Sequence, residues 1–156
     1  MSQVEERLAK LGHKVPDPGT PMFNYVGAVQ TGSLVFLAGH GPRREDGEYI
    51  YSGKVGHDVD VETARKAAEL AILNCLGSLK QLIGDLDRVT RIVKLLGMVN
   101  CGPDFVEQSK VINAASDVLV AAFGDAGKHA RSAVGMSSLP MGISVEIEMV
   151  VEVGGS

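Results

Sequence analysis

A chain of 156 residues with a net charge of -4 fits one domain able to bury a continuous core without disulfides or metals. No basic cluster exceeds the Arg43-Arg44 pair, there is no Trp and aromatics make up only 4%, so a nucleic-acid partner is disfavoured both as a charge footprint and as a base-stacking platform. Two cysteines are too few for a disulfide framework, Glu5, Glu6 and Arg7 break any secretory apolar run, and no stretch reaches the roughly 18 uninterrupted apolar residues of a membrane span; a cytoplasmic protein is expected.

Residues 3 to 11 carry Val4, Leu8 and Leu11 at helical spacing and read as a short helix within an N-terminal extension, residues 1–20, that closes on the Pro16-Asp17-Pro18-Gly19 turn. Two apolar runs, Asn24 to Gln30 and Leu34 to Ala38, flank Thr31-Gly32-Ser33 and predict a hairpin. Gly39-His40-Gly41-Pro42 ends it. The charged stretch from Arg43 to Gly47 then predicts a mobile surface loop, with a weak strand near Tyr49 to Ser52. Asp60 is placed to cap a helix from Val61 to Ile83, whose Ala64, Ala67, Ala68, Ala71, Cys75, Leu79 and Leu82 form one stripe before Gly84.

Val89 to Val99 predicts a strand apolar on both faces, Val89, Val93, Leu95 and Val99 against Ile92, Leu96 and Met98. Asp104 and Glu107 after Pro103 predict an N-cap and capping box for a helix running to Gly124. Two strands close the chain, Arg131 to Met136 and Val145 to Val153. In the last, Val145, Ile147, Met149, Val151 and Val153 share one face, and Glu146, Glu148 and Glu152 share the other with Val150. Three carboxylates on one face need water or a cation, and Arg131 is a candidate to supply one. Its alternative role is a structural ion pair, and any of the three glutamates can be the one it meets.

The order β-β-(β)-α-β-α-β-β predicts an α+β fold with the two long helices on one face of a mixed sheet. Apolar residues left on the other face predict a homo-oligomer. His13, His40, His57 and His129 have neither i, i+4 spacing nor a cysteine neighbour, so no metal site is expected. His40 reads as a loop histidine or a proton shuttle, Asn113 as a buried hydrogen-bonding residue, and Cys101, near a turn, as a reachable thiol.

Arg131-Ser132-x-Val134, Leu139-Pro140 and Val145-Glu146-Ile147-Glu148, with Asn24-Tyr25-Val26 leading to Ala38-Gly39, resemble the signatures of the Rid or YjgF family over nearly the whole chain. The resemblance implies a single chorismate-mutase-like domain, a homotrimer with pockets between subunits, and cofactor-free hydrolysis of reactive enamines or 2-imino acids to 2-keto acids and ammonia. It implies Arg131 as the anchor of a small substrate carboxylate, Glu146 as acid and base, and Tyr25, Gly39, His40 and Ala133 as substrate-binding positions. Ala133 stands where characterised deaminases of the family carry Cys, and His40 where they commonly have Gln. These departures keep open a non-catalytic, carboxylate-binding trimer; a ribonuclease or translation inhibitor is the weakest reading.

Overall fold

The computed structural model describes residues 1–20 and 23–155. Its elements are helix α1 (Gln3–Lys10), strands β1 (Ala28–Thr31) and β2 (Leu34–Leu37), helix α2 (Val61–Ile83), strand β3 (Val89–Asn100), helix α3 (Gln108–Phe123), and strands β4 (Ala130–Met136) and β5 (Val145–Val153). They form one five-stranded sheet in the order β1-β2-β5-β3-β4. Neighbours are antiparallel except β3 and β4, which run parallel because α3 carries the chain back between them. This is the expected mixed sheet, with α2 and α3 on one face and α1 as a third, shorter helix.

Strand β5 lies between β2 and β3, and its alternation survives intact: Val145, Ile147, Met149, Val151 and Val153 are all buried. Beside them in the sheet run Ile92, Leu95, Gly97 and Val99 of β3. A Cβ on Gly97 would come within about 2.6 Å of the Ile112 side chain, so glycine is what lets α3 sit this close to the sheet. The two faces of β3 differ from those expected, since Ile92 joins Leu95 and Val99. Irregularities between Val89 and Arg91 and between Ile92 and Lys94 each insert a residue and reverse the alternation that follows.

The helix boundaries follow local chemistry where nothing competes with it. Asp60 caps α2 by accepting from Thr63 N at 2.7 Å, and Gly84 ends it at φ 85°. At α3 tertiary packing wins instead. The helix starts at Gln108 without a side-chain cap, so the expected Asp104–Glu107 capping box does not form. Phe105 is tucked against Gly56, where a Cβ would lie 2.9 Å from its ring, and Gln108 Nε2 donates to Phe105 O at 2.9 Å.

Three further expectations are corrected. The weak strand near residues 49–52 amounts to isolated bridges, Arg43 to Tyr49 and Ser52 to Ile143. The loop that contains it is pinned rather than loose: Ile50 N donates to Pro42 O at 3.0 Å, and buried Asn74 holds the Gly41 and Arg43 carbonyls. Cys101 is buried beside Gln108, not a reachable thiol.

Helix α1 is built into the molecule. Ser2 and Glu5 form a capping box, Gln3 N and Val4 N donate to the Asp87 carboxylate, Lys80 pairs with Glu5 at 2.6 Å, and Val4 and Leu8 enter the core. Leu8→Ala should therefore cost about 2–5 kcal/mol, the range for emptying a fully buried leucine site, read from the midpoint of urea unfolding. A surface appendage would show almost no change.

Candidate functional site

A cavity of about 210 Å³ opens where the chain entering β1, the end of β2 and the middle of α2 converge. Tyr25, Gly39 and His40, three of the positions singled out from sequence, line it together. The Tyr25 ring stacks on Phe23 with centroids 6.2 Å apart and planes inclined by 19°, a wall with an apolar face and a phenolic edge. Met141, held at φ 59°, forms another part of the rim.

His40 is fixed at both ends. Its backbone exchanges two hydrogen bonds with Ile147 of β5, 2.8 and 2.9 Å long. Its Nδ1 lies 2.6 Å from Ala38 O and its Nε2 2.7 Å from Ser78 Oγ. A carbonyl oxygen only accepts, so Nδ1 carries the proton and Nε2 of the neutral ring accepts from the Ser78 hydroxyl. Burial holds the imidazole below its ordinary pKa, against the opposing pull of the Ala38 carbonyl. Gly27 makes room for the pair, since a Cβ there would lie 2.7 Å from Ser78 Oγ.

Of the three glutamates on the outer face of β5, Glu146 is set apart. A Cβ on Gly39 would meet its carboxylate at 2.5 Å, so the bare backbone at position 39 is what lets the acid lie there. Glu146 is half-buried, and that burial, with the charge of Glu148 second, raises its pKa. Glu148 is exposed, and Glu152 accepts from the Thr90 hydroxyl at 2.6 Å. Gly39 thus borders both the cavity and a carboxyl whose proton affinity is lifted.

Arg131 lies elsewhere. It pairs with Leu95 in the β3–β4 register, whereas Glu146 pairs with Met98, so the two side chains leave opposite faces of the sheet from strands separated by β3. The guanidinium reaches α3: Nη1 donates to Asn113 Oδ1 at 2.8 Å and to Ser116 Oγ at 3.2 Å. Ser116 is held in turn by His129 Nε2 at 2.9 Å, with His129 Nδ1 2.6 Å from Gly127 O. Asn113 is exposed, not buried as expected. Ala133 shares the Arg131 face, opposite Gly97. Within one chain, then, Tyr25, Gly39 and His40 line one cavity, Glu146 adjoins it through Gly39 alone, and Arg131 and Ala133 do not join them; the expected meeting of Arg131 with a β5 carboxylate is absent from the single chain.

Asn74, Ser78 and Arg43, all part of the cavity wall, are not among the candidates named from sequence. A signal was present for the first two. They stand four apart on α2 and are both buried, and polar residues repeating at helical spacing among core positions announce a bonded network.

The chain is similar to known proteins over almost all its length. The family described as "YjgF/chorismate mutase-like, putative endoribonuclease" matches residues 5–152. Protein TCP17 of Trypanosoma cruzi is 39% identical over 151 residues, 96% of this chain and 94% of that protein. The crystal structure of Atu1372 from Agrobacterium tumefaciens, a protein of unknown function, shares 44% identity with a TM-score of 0.90, covering 97% of this chain and 93% of that one. A Shewanella oneidensis structure under the same endoribonuclease description shares 31% identity with a TM-score of 0.91, covering 96% and 99%.

The raised pKa of Glu146 has a sign that can be measured. Between the ordinary carboxyl range and the raised folded value, the folded state binds more protons than the unfolded one, so stability falls as pH rises through that window. Glu146→Gln removes the cost. The variant should unfold at a higher temperature than the parent at neutral pH, with the gain shrinking as pH drops below about 4, where the glutamate becomes protonated in both states. A gain undiminished at the acid end contradicts the assignment.

Proposed function

The chain belongs to the YjgF or Rid family, and we propose that it hydrolyses small reactive enamines or 2-imino acids to 2-keto acids and ammonia, in pockets shared between subunits of a homotrimer. The observation that carries this reading is the half-buried Glu146 beside Gly39, a carboxyl with raised proton affinity next to a cavity walled by Tyr25. Assembly is supported by the outer sheet face, where Val29, Phe36 and Val134 stay exposed around the glutamates. Arg131 of one copy then serves the cavity of the next, which accounts for a guanidinium held by neutral partners on α3 with donors to spare.

The chemistry needs no cofactor, because the substrate already carries a polarised C=N bond. Arg131 grips the carboxylate and fixes the imine carbon. Glu146 takes a proton from a water as its oxygen bonds to that carbon and passes the proton to nitrogen, giving a carbinolamine; it then takes the carbinolamine hydroxyl proton and delivers it to the same nitrogen as the C–N bond breaks, releasing ammonia and leaving the oxygen on carbon as a ketone. A carboxyl poised above its ordinary range suits both halves of that transfer at neutral pH.

A second reading has its own support. Ala133 brings no ionisable group to the site, and both nitrogens of His40 are engaged, so the same pocket can hold small carboxylates without turnover. A ribonuclease role is the weakest fit to a chain of net charge -4.

Decay of enzymatically generated 2-aminoacrylate, followed through keto acid release, separates these. The parent should accelerate it, Glu146→Gln should be slower by about 100- to 10,000-fold, and Arg131→Ala should raise KM steeply. Mixing the two inactive variants under conditions of subunit exchange should restore roughly one quarter of the sites, the share expected when each site draws one residue from each of two chains. Equal rates for the parent and Arg131→Ala remove the proposal, and keto acid binding without turnover leaves the second reading.

A further inference from the structure

Ser78 lies in the interior of α2 and is only 4% exposed. A serine within a helix ordinarily points to water or bonds back to the carbonyl four residues before it, yet this hydroxyl meets His40 Nε2 at 2.7 Å. His40 Nδ1 is in turn fixed on Ala38 O at 2.6 Å, and burial favours the unprotonated ring. A hydroxyl bonded to a base that a third group orients is the arrangement of an activated nucleophile.

Both residues line the open cavity, and so does Gly27, where a Cβ would crowd the Ser78 oxygen at 2.7 Å. The nucleophile is therefore approached across bare backbone. Gly41, also on the wall, carries an N–H that donates to no backbone carbonyl among the described residues and is available to a developing oxyanion. Helix α3 supplies the contrast. Ser116 meets His129 Nε2 at 2.9 Å in the same manner, but Arg131 donates to that hydroxyl oxygen at 3.2 Å and uses a lone pair that Ser78 keeps.

We propose that Ser78 and His40 form a nucleophile and base that hydrolyse small esters, with the Phe23–Tyr25 stack receiving the apolar part of the ester. Ser78 Oγ bonds to the ester carbonyl carbon while its proton passes to His40 Nε2. The bond from that carbon to the alcohol oxygen then breaks, the alcohol leaving with the proton and the acyl group staying on Ser78. Water bonds to the same carbon and gives a proton to Nε2. That proton returns to Oγ as the acyl group departs as a carboxylic acid. A volume of about 210 Å³, below the roughly 300–1,000 Å³ of pockets for drug-sized ligands, restricts the ester to about one ring and a few further atoms. The inference goes beyond the proposed imine hydrolysis and does not rest on it, because Arg131 and Glu146 take no part and every group used belongs to one chain.

Treatment of the full chain with p-nitrophenyl acetate, acid-quenched early, and separately with phenylmethanesulfonyl fluoride, followed by peptide mass spectrometry, tests it. p-Nitrophenol should appear in a burst of about one equivalent per chain before a slower steady release. The acetyl and sulfonyl groups should both map to Ser78. Ser78→Ala should abolish the burst and both labels, and His40→Gln should slow the burst by about 100-fold or more. Release no faster than in buffer, labels on other residues with Ser78 unmodified, or a burst unchanged in either variant overturns the proposal. The labels are read on the parent chain, so the test does not depend on a variant folding. Failure of aminoacrylate turnover with Ser78 acylated removes the imine reading and leaves this one; turnover of aminoacrylate with Ser78 unlabelled removes this one alone.

Discussion

The register of β5 is the constraint on which the rest of the structure depends. The strand is hydrogen-bonded on both sides, to β2 and to β3, and turns five apolar side chains inward and three carboxylates outward. A slip of one residue would bury the carboxylates beneath α2 and α3 and expose the core set, which no local rearrangement could offset. With the register fixed, Glu146 falls beside Gly39, and Ile147 receives the two backbone bonds that hold His40. The cavity is therefore assembled from the strand outward, and α2 closes it with Asn74 and Ser78.

The same topology divides the chemistry between the two faces of the sheet. A parallel β3–β4 pair requires a crossover, α3 supplies it on the inner side, and Arg131 in β4 turns towards that helix. Glu146 is on the outer side of a central strand. An acid and a cation in such positions cannot neutralise each other within the chain, and each keeps the property useful at a site: Glu146 a raised proton affinity, Arg131 a set of donors held by neutral partners. Two helix serines play parallel parts, Ser78 with His40 and Ser116 with His129, each histidine anchored through Nδ1 to a carbonyl two residues before it.

Much of this was legible in the residues, and the failures have identifiable causes. The long helix α2, its Asp60 cap and its Gly84 stop, the Gly32 hairpin and the alternation of β5 could all be read because each is set by local spacing or backbone conformation. The faces of β3 were misread because inserted residues are invisible to a period-two count. The start of α3 was misread because Phe105, seated on Gly56, outweighs a capping signature. Tyr25, Gly39 and His40, singled out through family signatures, line one cavity, with Glu146 on the far side of Gly39. The partners of Arg131 were not found, since only the β3–β4 crossover brings Asn113 and Ser116 to it, and Arg43 was hidden in a loop whose backbone is fastened in part by an asparagine on α2, 31 positions along the chain.

The tautomer of His40 gives the cavity a polarity. With Nδ1 committed to the Ala38 carbonyl, the Ser78 proton is drawn to Nε2, and what the hydroxyl offers on its remaining sides is electron density. On those sides the helix wall is a Lewis base, complementary to a hydrogen-bond donor and not to a carbonyl oxygen. That acceptor character is dictated by one proton settled deep in the fold.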